Sequence, residues 1–426
     1  MLSEMEQAMR ANFFSIILIL SLLAVANVSW AQPSEMDVLL DVMVHKGLLN
    51  EKEAKAVRFE TEKIVTQQRK ETIEIAKKEI KRQPSFDTPE WVKKFKIGGD
   101  LRLRYQRNDL DGKEGGENNR TRVRFRLKLS SKINDKLEIK ARISTGPSDP
   151  RSTNQTFGES FSSKDIVLDR VYAKYTANSY MTLYAGKFGK TFHSPSDLLW
   201  DSDLSYEGMA IQMKKKFSDI FIGGINAGVY VIDDINTEDP VMFMIQPTME
   251  WKVNKSFTWI GSVGYVGFEN LQDSTRSTFA SDQNTLVGGS YKYDYDAFIA
   301  TTEFSFKVGT IPRFAIIAEY VLAKEPNDNN EGGLIGFELG HKKVKIKGQW
   351  KLFYNYRELQ SDAFYGGFPD ADFYGGNTNV RGKVLGLSYA FADNVVGAVK
   401  LYRTENIDGA EELNEDLLQT DIIISF

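Results

Sequence analysis

The stretch Arg120-Thr121-Arg122-Val123-Arg124-Phe125-Arg126-Leu127-Lys128-Leu129 places a basic residue at every second position. In a strand, that period puts Arg122, Arg124, Arg126 and Lys128 on one face and Val123, Phe125, Leu127 and Leu129 on the other. One Arg facing lipid at mid-plane costs about 2–4 kcal/mol, so Arg122, Arg124 and Arg126 together would cost about 6–12. The basic face must therefore meet water or counter-charge, which leaves the apolar face for lipid or a protein core. A soluble sandwich with its cationic face outward would also fit, so the neighbouring segments decide.

The period of two recurs from Trp91 onward, first with Ile97, Leu101, Leu103 and Tyr105 against Asp100, Arg102 and Arg104. Strands are expected at 95–107, 120–132, 137–145, 166–176, 181–188, 207–216, 220–232, 241–252, 256–268, 297–308, 313–324, 333–342, 346–358, 380–391, 395–405 and 416–426. Tight turns such as 133–136, 217–219, 253–255, Ile311-Pro312 and 392–394 alternate with long polar loops, the third of them at 189–206. Short turns at one end and long loops at the other fit an all-β, 16-stranded antiparallel transmembrane β-barrel. Thr285 to Asp296 also looks strand-like. Counting it separately would break the even parity, so it reads as an extension or hairpin inside a loop. Phe95, Trp251, Phe257, Phe306, Phe314, Phe391 and Phe426 fall at the turn ends of apolar faces, as an interfacial girdle requires.

The chain ends in Thr420-Asp421-Ile422-Ile423-Ile424-Ser425-Phe426, with Phe426, Ile424 and Ile422 on one face. This resembles the signal read by the barrel assembly machinery, although an edge strand of a soluble sheet has the same pattern. At the other end, Arg10, the apolar run Phe13 to Val28 and Ser29-Trp30-Ala31 read as a secretory signal peptide over 1–31.

Residues 32–90 read as a helical segment. Gly47 breaks a first helix, and Asn50 with Glu53 forms a capping box for a second running toward Arg82. Its apolar spacings hold no single heptad register, so a coiled-coil stalk and a solvated helix both fit. Pro84 and Pro89 mark the boundary to the barrel at 91–426.

With no cysteine the chain has neither disulfides nor thiolate metal sites, and its three histidines offer little for metal binding, so no metal or cofactor is expected. A formal charge of −4 argues against general nucleic-acid affinity.

Sixteen strands leave an aqueous lumen. Arg102, Arg104, Arg122, Arg124, Arg126, Lys128, Lys140, Arg142, Arg170 and Lys174 are expected to line it. The third long loop carries Asp197, Asp201, Asp203 and Glu207 around Trp200. Folded inward, its carboxylates would face the arginine wall and make a constriction. Alternatively the loop lies outside, and the arginines pair with strand carboxylates such as Asp100 and Glu138. The basic wall suggests a weak anion preference.

Gly99 to Tyr105, Arg120 to Leu127, Ser152-Thr153-Asn154-Gln155-Thr156, Leu168 to Tyr172, Gly186-Lys187 and Trp200 to Leu204 with Glu207-Gly208 resemble the putative porin family of Gram-negative bacteria. The resemblance is densest before residue 215 and extends more distantly to phosphate-selective porins, which also set a helical segment before sixteen strands. It implies a passive pore for small hydrophilic solutes in the outer membrane, assembled as a homotrimer. Two other classes stay open. In a structural anchor or adhesin, 32–90 would contact peptidoglycan or a partner. In a barrel hydrolase, His193 beside Ser194 and Ser196 would be the only arrangement able to act.

Overall fold

The computed structural model describes residues 35–57, scattered positions between 59 and 71, and 94–426 apart from 112–116, 148, 235–238, 255 and 276–282. The signal segment, the helix end toward Arg82 and the Pro84 and Pro89 boundary lie outside the described residues. The chain divides into two units, 1–88 and 89–426.

In the first unit, helix α1 spans Glu35–His45. Gly47 N–H donates to Val44 O and Leu48 N–H to Met43 O, both at 3.0 Å, with Gly47 at φ 70. This is a Schellman ending, which glycine supports because it lacks a Cβ. The capping box forms as its residue types require. Asn50 N–H donates to Glu53 Oε2, and Glu53 N–H to Asn50 Oδ1, both at 2.9 Å, and residues 51–57 are helical.

In the second unit, sixteen long strands close into an antiparallel barrel. They are β1 (Phe95–Leu110), β2 (Glu117–Lys132), β3 (Leu137–Thr145), β4 (Ile166–Asn178), β5 (Met181–Phe188), β6 (Tyr206–Lys216), β7 (Phe221–Val231) and β8 (Val241–Asn254). The ring continues with β9 (Phe257–Glu269), β10 (Ala297–Val308), β11 (Ile311–Ala323), β12 (Glu331–Gly340), β13 (Trp350–Leu359), β14 (Val380–Ala392), β15 (Val395–Asn406) and β16 (Asn414–Ser425). Each strand pairs with its sequence neighbours, and β1 closes the ring on β16, with Leu103 opposite Ile422 and Leu101 opposite Ile424. Directly paired residues share a face, so Ile422 and Ile424 are on the outer face. Phe426 completes the seam: Gly99 N–H donates to Phe426 O at 2.9 Å, and Phe426 N–H to Gly99 O at 3.1 Å.

The girdle follows from register. Phe257 lies opposite Phe306, and Phe306 opposite Phe314, with ring centroids 4.9 and 6.1 Å apart. The strand-like part of the fifth loop is a hairpin, Leu286–Val287 against Ser290–Tyr291. Its turn residues, Gly288 and Gly289, both have positive φ (62 and 91), as a two-residue primed turn demands.

Two turns differ from the expected ones. The reversal placed at Ile311-Pro312 occurs at 309–310, and Pro312 sits at the second position of β11. Gly309 adopts φ 55 there, and a proline missing its N–H is tolerated next to a strand end. The second concerns β13, which begins at Trp350 rather than 346. The Gln349 side chain captures the Lys345 and Ile346 N–H groups at 2.9 and 3.0 Å, so those donors are lost to a ladder. Lys345 and Lys347 therefore belong to a turn.

Candidate functional site in the barrel lumen

Register sets the lumen face. Arg102 lies opposite Arg124, Arg104 opposite Arg122, Asp100 opposite Arg126, and Lys128 opposite Arg142. Arg142 in turn lies opposite Arg170, Lys140 opposite Tyr172, and Lys174 opposite Glu138. All ten basic residues share the inner face. Like charges directly opposite one another repel, so this wall requires counter-charge.

Strand carboxylates supply part of it. Arg104 forks Asp421 through Nε and Nη2 at 2.7 and 2.9 Å, and Arg124 donates to Asp100 Oδ1 at 2.8 Å. Lys128 reaches the other Asp100 oxygen at 3.2 Å, Lys140 meets Glu138 at 3.2 Å, and Arg142 pairs with Asp169. Arg170 instead donates to Ser205 Oγ at 3.0 Å.

The rest comes from loops folded into the barrel. In the third loop, 189–205, Asp203 Oδ1 accepts from Arg126 at 2.5 Å, and its other oxygen accepts from Thr153 Oγ at 3.1 Å. Asp201 meets no arginine among the described residues. Its oxygens accept the backbone N–H groups of Asp203 at 2.7 Å and Ala371 at 2.9 Å. Trp200 is 1 % exposed, packed among Phe192, Tyr206, Phe364 and Phe368 with centroids 4.8–6.0 Å away. It anchors the loop and does not face open lumen. Glu207 is not in the loop. It belongs to β6, on the outer face with Met209, where it pairs with Lys187 at 2.6 Å. The inner-facing Tyr206 is buried against Trp200, so the strand starts one residue earlier than its polar sequence suggests.

The seventh loop, 360–379, supplies acids that the sequence reading left out. Asp372 Oδ2 accepts from Arg104 at 3.1 Å, and Asp370 from Arg357 at 2.8 Å. Asp201-Ser202-Asp203 and Asp370-Ala371-Asp372 share a D-x-D spacing, which was the available signal. Arg151 of the second loop ties in as well, donating to Gly376 O at 3.1 Å.

Burial, with Asp370 and Asp203 nearby, pushes the Asp201 carboxyl well above the usual range. Burial acts the same way on Asp203, but Arg126, Arg124 and Arg102 outweigh it and hold that carboxyl below the usual range. The third loop is further pinned by His193, whose backbone N–H and C=O both bond the Gln246 side chain at 2.8 Å. Ser194 Oγ donates to Ser196 O at 2.7 Å, and Ser196 Oγ to Glu319. Neither hydroxyl is thus directed at the His193 ring, as a nucleophile and its base would need to be.

Between this wall and the loops lies a cavity of about 380 Å³, lined by Arg102, Arg104, Arg120 and Arg122 on one side and by Asp197 and Asp372 on the other.

The family described as "Putative porin" matches residues 113–300 and 291–426. Among solved structures, Pseudomonas putida OprB in its high-pH form is similar at a TM-score of 0.53 and 13% identity, over 79% of this chain and 95% of that one. Salmonella typhi OmpF in complex with daunomycin gives 0.47 at 11% identity, over 78% and 97%. An OmpT loop L8 deletion mutant from Vibrio cholerae gives 0.45 at 12%, over 78% and 99%. No curated protein matches. The family match runs through nearly the whole barrel, and this chain belongs to the putative porin family, whose barrels form channels in the outer membrane.

Proposed function

We propose that this porin passes small hydrophilic solutes by passive diffusion along the arginine side of the lumen, with a weak preference for anions. The observation that carries this reading is the cavity between the arginines of β1 and β2 and the carboxylates of two inward-folded loops. The weakness follows from pairing: most wall cations already have an acid or polar partner, so little net charge is left to select ions. Lys128, Lys140, Arg142, Arg170 and Lys174 contribute mainly to the wall, while Asp203 and Asp372 narrow it.

The reading extends to biogenesis. The signal segment exports the chain, Phe426, Ile424 and Ile422 present it to the assembly machinery, and three copies associate. Contact between 32–90 and peptidoglycan belongs to the anchor reading, which leaves a sixteen-strand lumen without a use. Hydrolysis has no support from the His193 geometry.

Purified protein in liposomes is expected to admit small sugars with a size cutoff, and in planar bilayers to close in three equal steps. Liposomes that exclude every sugar would reject the pore in favour of an anchor.

A further inference from the structure

Three of the guanidinium groups that line this cavity have no carboxylate within ion-pair distance among the described residues: Arg102, Arg120 and Arg122. Arg170, outside the cavity lining, also lacks one, but its donors are taken by Ser205 Oγ and Leu204 O. Arg102 donates only to the neutral Asn154 Oδ1 at 2.6 Å, and Arg122 only to Gln106 Oε1 at 3.4 Å. In all three the Nε atom is buried with no acceptor. The acids nearby are engaged elsewhere, Asp421 and Asp372 with Arg104, Asp100 with Arg124 and Asp203 with Arg126.

Their register makes a staircase. Arg120 is level with Gln106, Arg122 with Arg104, and Arg102 with Arg124. Successive steps are thus two residues apart, about 6.5–7 Å along the strand. All three line the 380 Å³ cavity. The Nε edge of a guanidinium presents two parallel N–H donors, and that fork fits the two oxygens of a carboxylate or phosphate better than a spherical halide. A charged group lacking counter-charge in a confined site also gains most from an anion.

We propose that Arg102, Arg120 and Arg122 form a stepwise binding site for small oxyanions in transit, carboxylates or phosphate. This rests on the pore reading above. Asp197 lines the same cavity from the third loop and repels the anion, which keeps residence short enough for passage.

The test uses the full-length protein in planar bilayers with chloride as the carried ion, and adds inorganic phosphate or malonate. Chloride current is expected to fall as either oxyanion rises. R102Q, R120Q and R122Q should each raise the half-blocking concentration about tenfold, the loss of one charge-assisted bond. R403Q, an exposed arginine outside the cavity, should leave it unchanged. R122K keeps the charge without the fork and should retain ion selectivity while losing most of the block. Block by phosphate alone or by malonate alone supports the site and names its ligand. Chloride current indifferent to both, or block unchanged in all three glutamine variants, overturns the inference while leaving a pore. A protein that conducts nothing overturns the pore itself and this site with it.

Discussion

Inside one barrel, the inner faces of β1–β4 and of β6–β11 carry opposite chemistry. The first is basic and polar from end to end. The second is mostly apolar toward the loop end, where Tyr206, Tyr230, Met242, Met244, Val266 and Val321 are buried around the carboxylate of Glu319, and more highly charged toward the turns, where Arg313 pairs with Glu303 and Glu338. The outer faces of both regions are equally apolar, because both meet lipid. What separates them is what stands opposite. The third and seventh loops press Trp200, Phe364 and Phe368 against the β6–β11 side, making a hydrophobic core inside the barrel, and present their carboxylates to the β1–β2 side. The lumen thus has one packed side and one side lined by arginines.

The largest expected effect on this contrast comes from Trp200→Ala. Emptying so large a buried site costs about 3–5 kcal/mol, enough to release the third loop from the packed side. Lower heat resistance and a larger, noisier single-channel conductance are expected; unchanged values of both would mean that the loop is held by its polar contacts alone. Asp203→Asn acts on the other side at about 1–3 kcal/mol by leaving Arg126 without its counter-charge. Reversal potentials in a salt gradient should shift toward anions, and a shift toward cations would contradict the pairing.

Acidity separates the two aspartates of the same loop. Asp203, held below the usual carboxylate range, stabilises the docked loop above the unfolded value of about 4, and this is lost as pH falls through its lower folded value. Asp201 has a raised folded value, so its contribution is full below about 4 and is lost as pH rises toward that value. Docking of the third loop, read as protection from protease in proteoliposomes, should therefore peak near about pH 4. A peak at neutral pH would mean that Asp201 is ionised in the docked loop. The smallest effect is expected from Ser196→Ala, which removes one bond to Glu319 for about 0.5–1.5 kcal/mol and should shift thermal unfolding slightly with conductance kept.

The contrast also explains what was legible in the sequence. In β2 the alternation is sharp because one face meets lipid and the other water. In β8, Val241-Met242-Phe243-Met244-Ile245 is apolar on both faces, since one meets lipid and the other the loop core. Such a run shows a strand but not its faces. Aspartates in loops were equally ambiguous. Asp203 meets Arg126 of the wall, Asp201 takes backbone donors instead, and Asp370 and Asp372 lie in a loop rich in Gly and aromatics that reads as ordinary surface.

The sequence by itself determined the strand count, its even parity and the face on which each arginine lies. These follow from a period of two, a property of each segment alone, and from lipid's intolerance of charge. Only the tertiary structure decided which charges are neutralised. Arg104 meets Asp421 across 317 positions of chain, and Asp372 across 268. Closing the ring and folding the loops inward brings such partners together, and no local pattern records that, among the described residues, Arg102, Arg120 and Arg122 line the cavity without an acid.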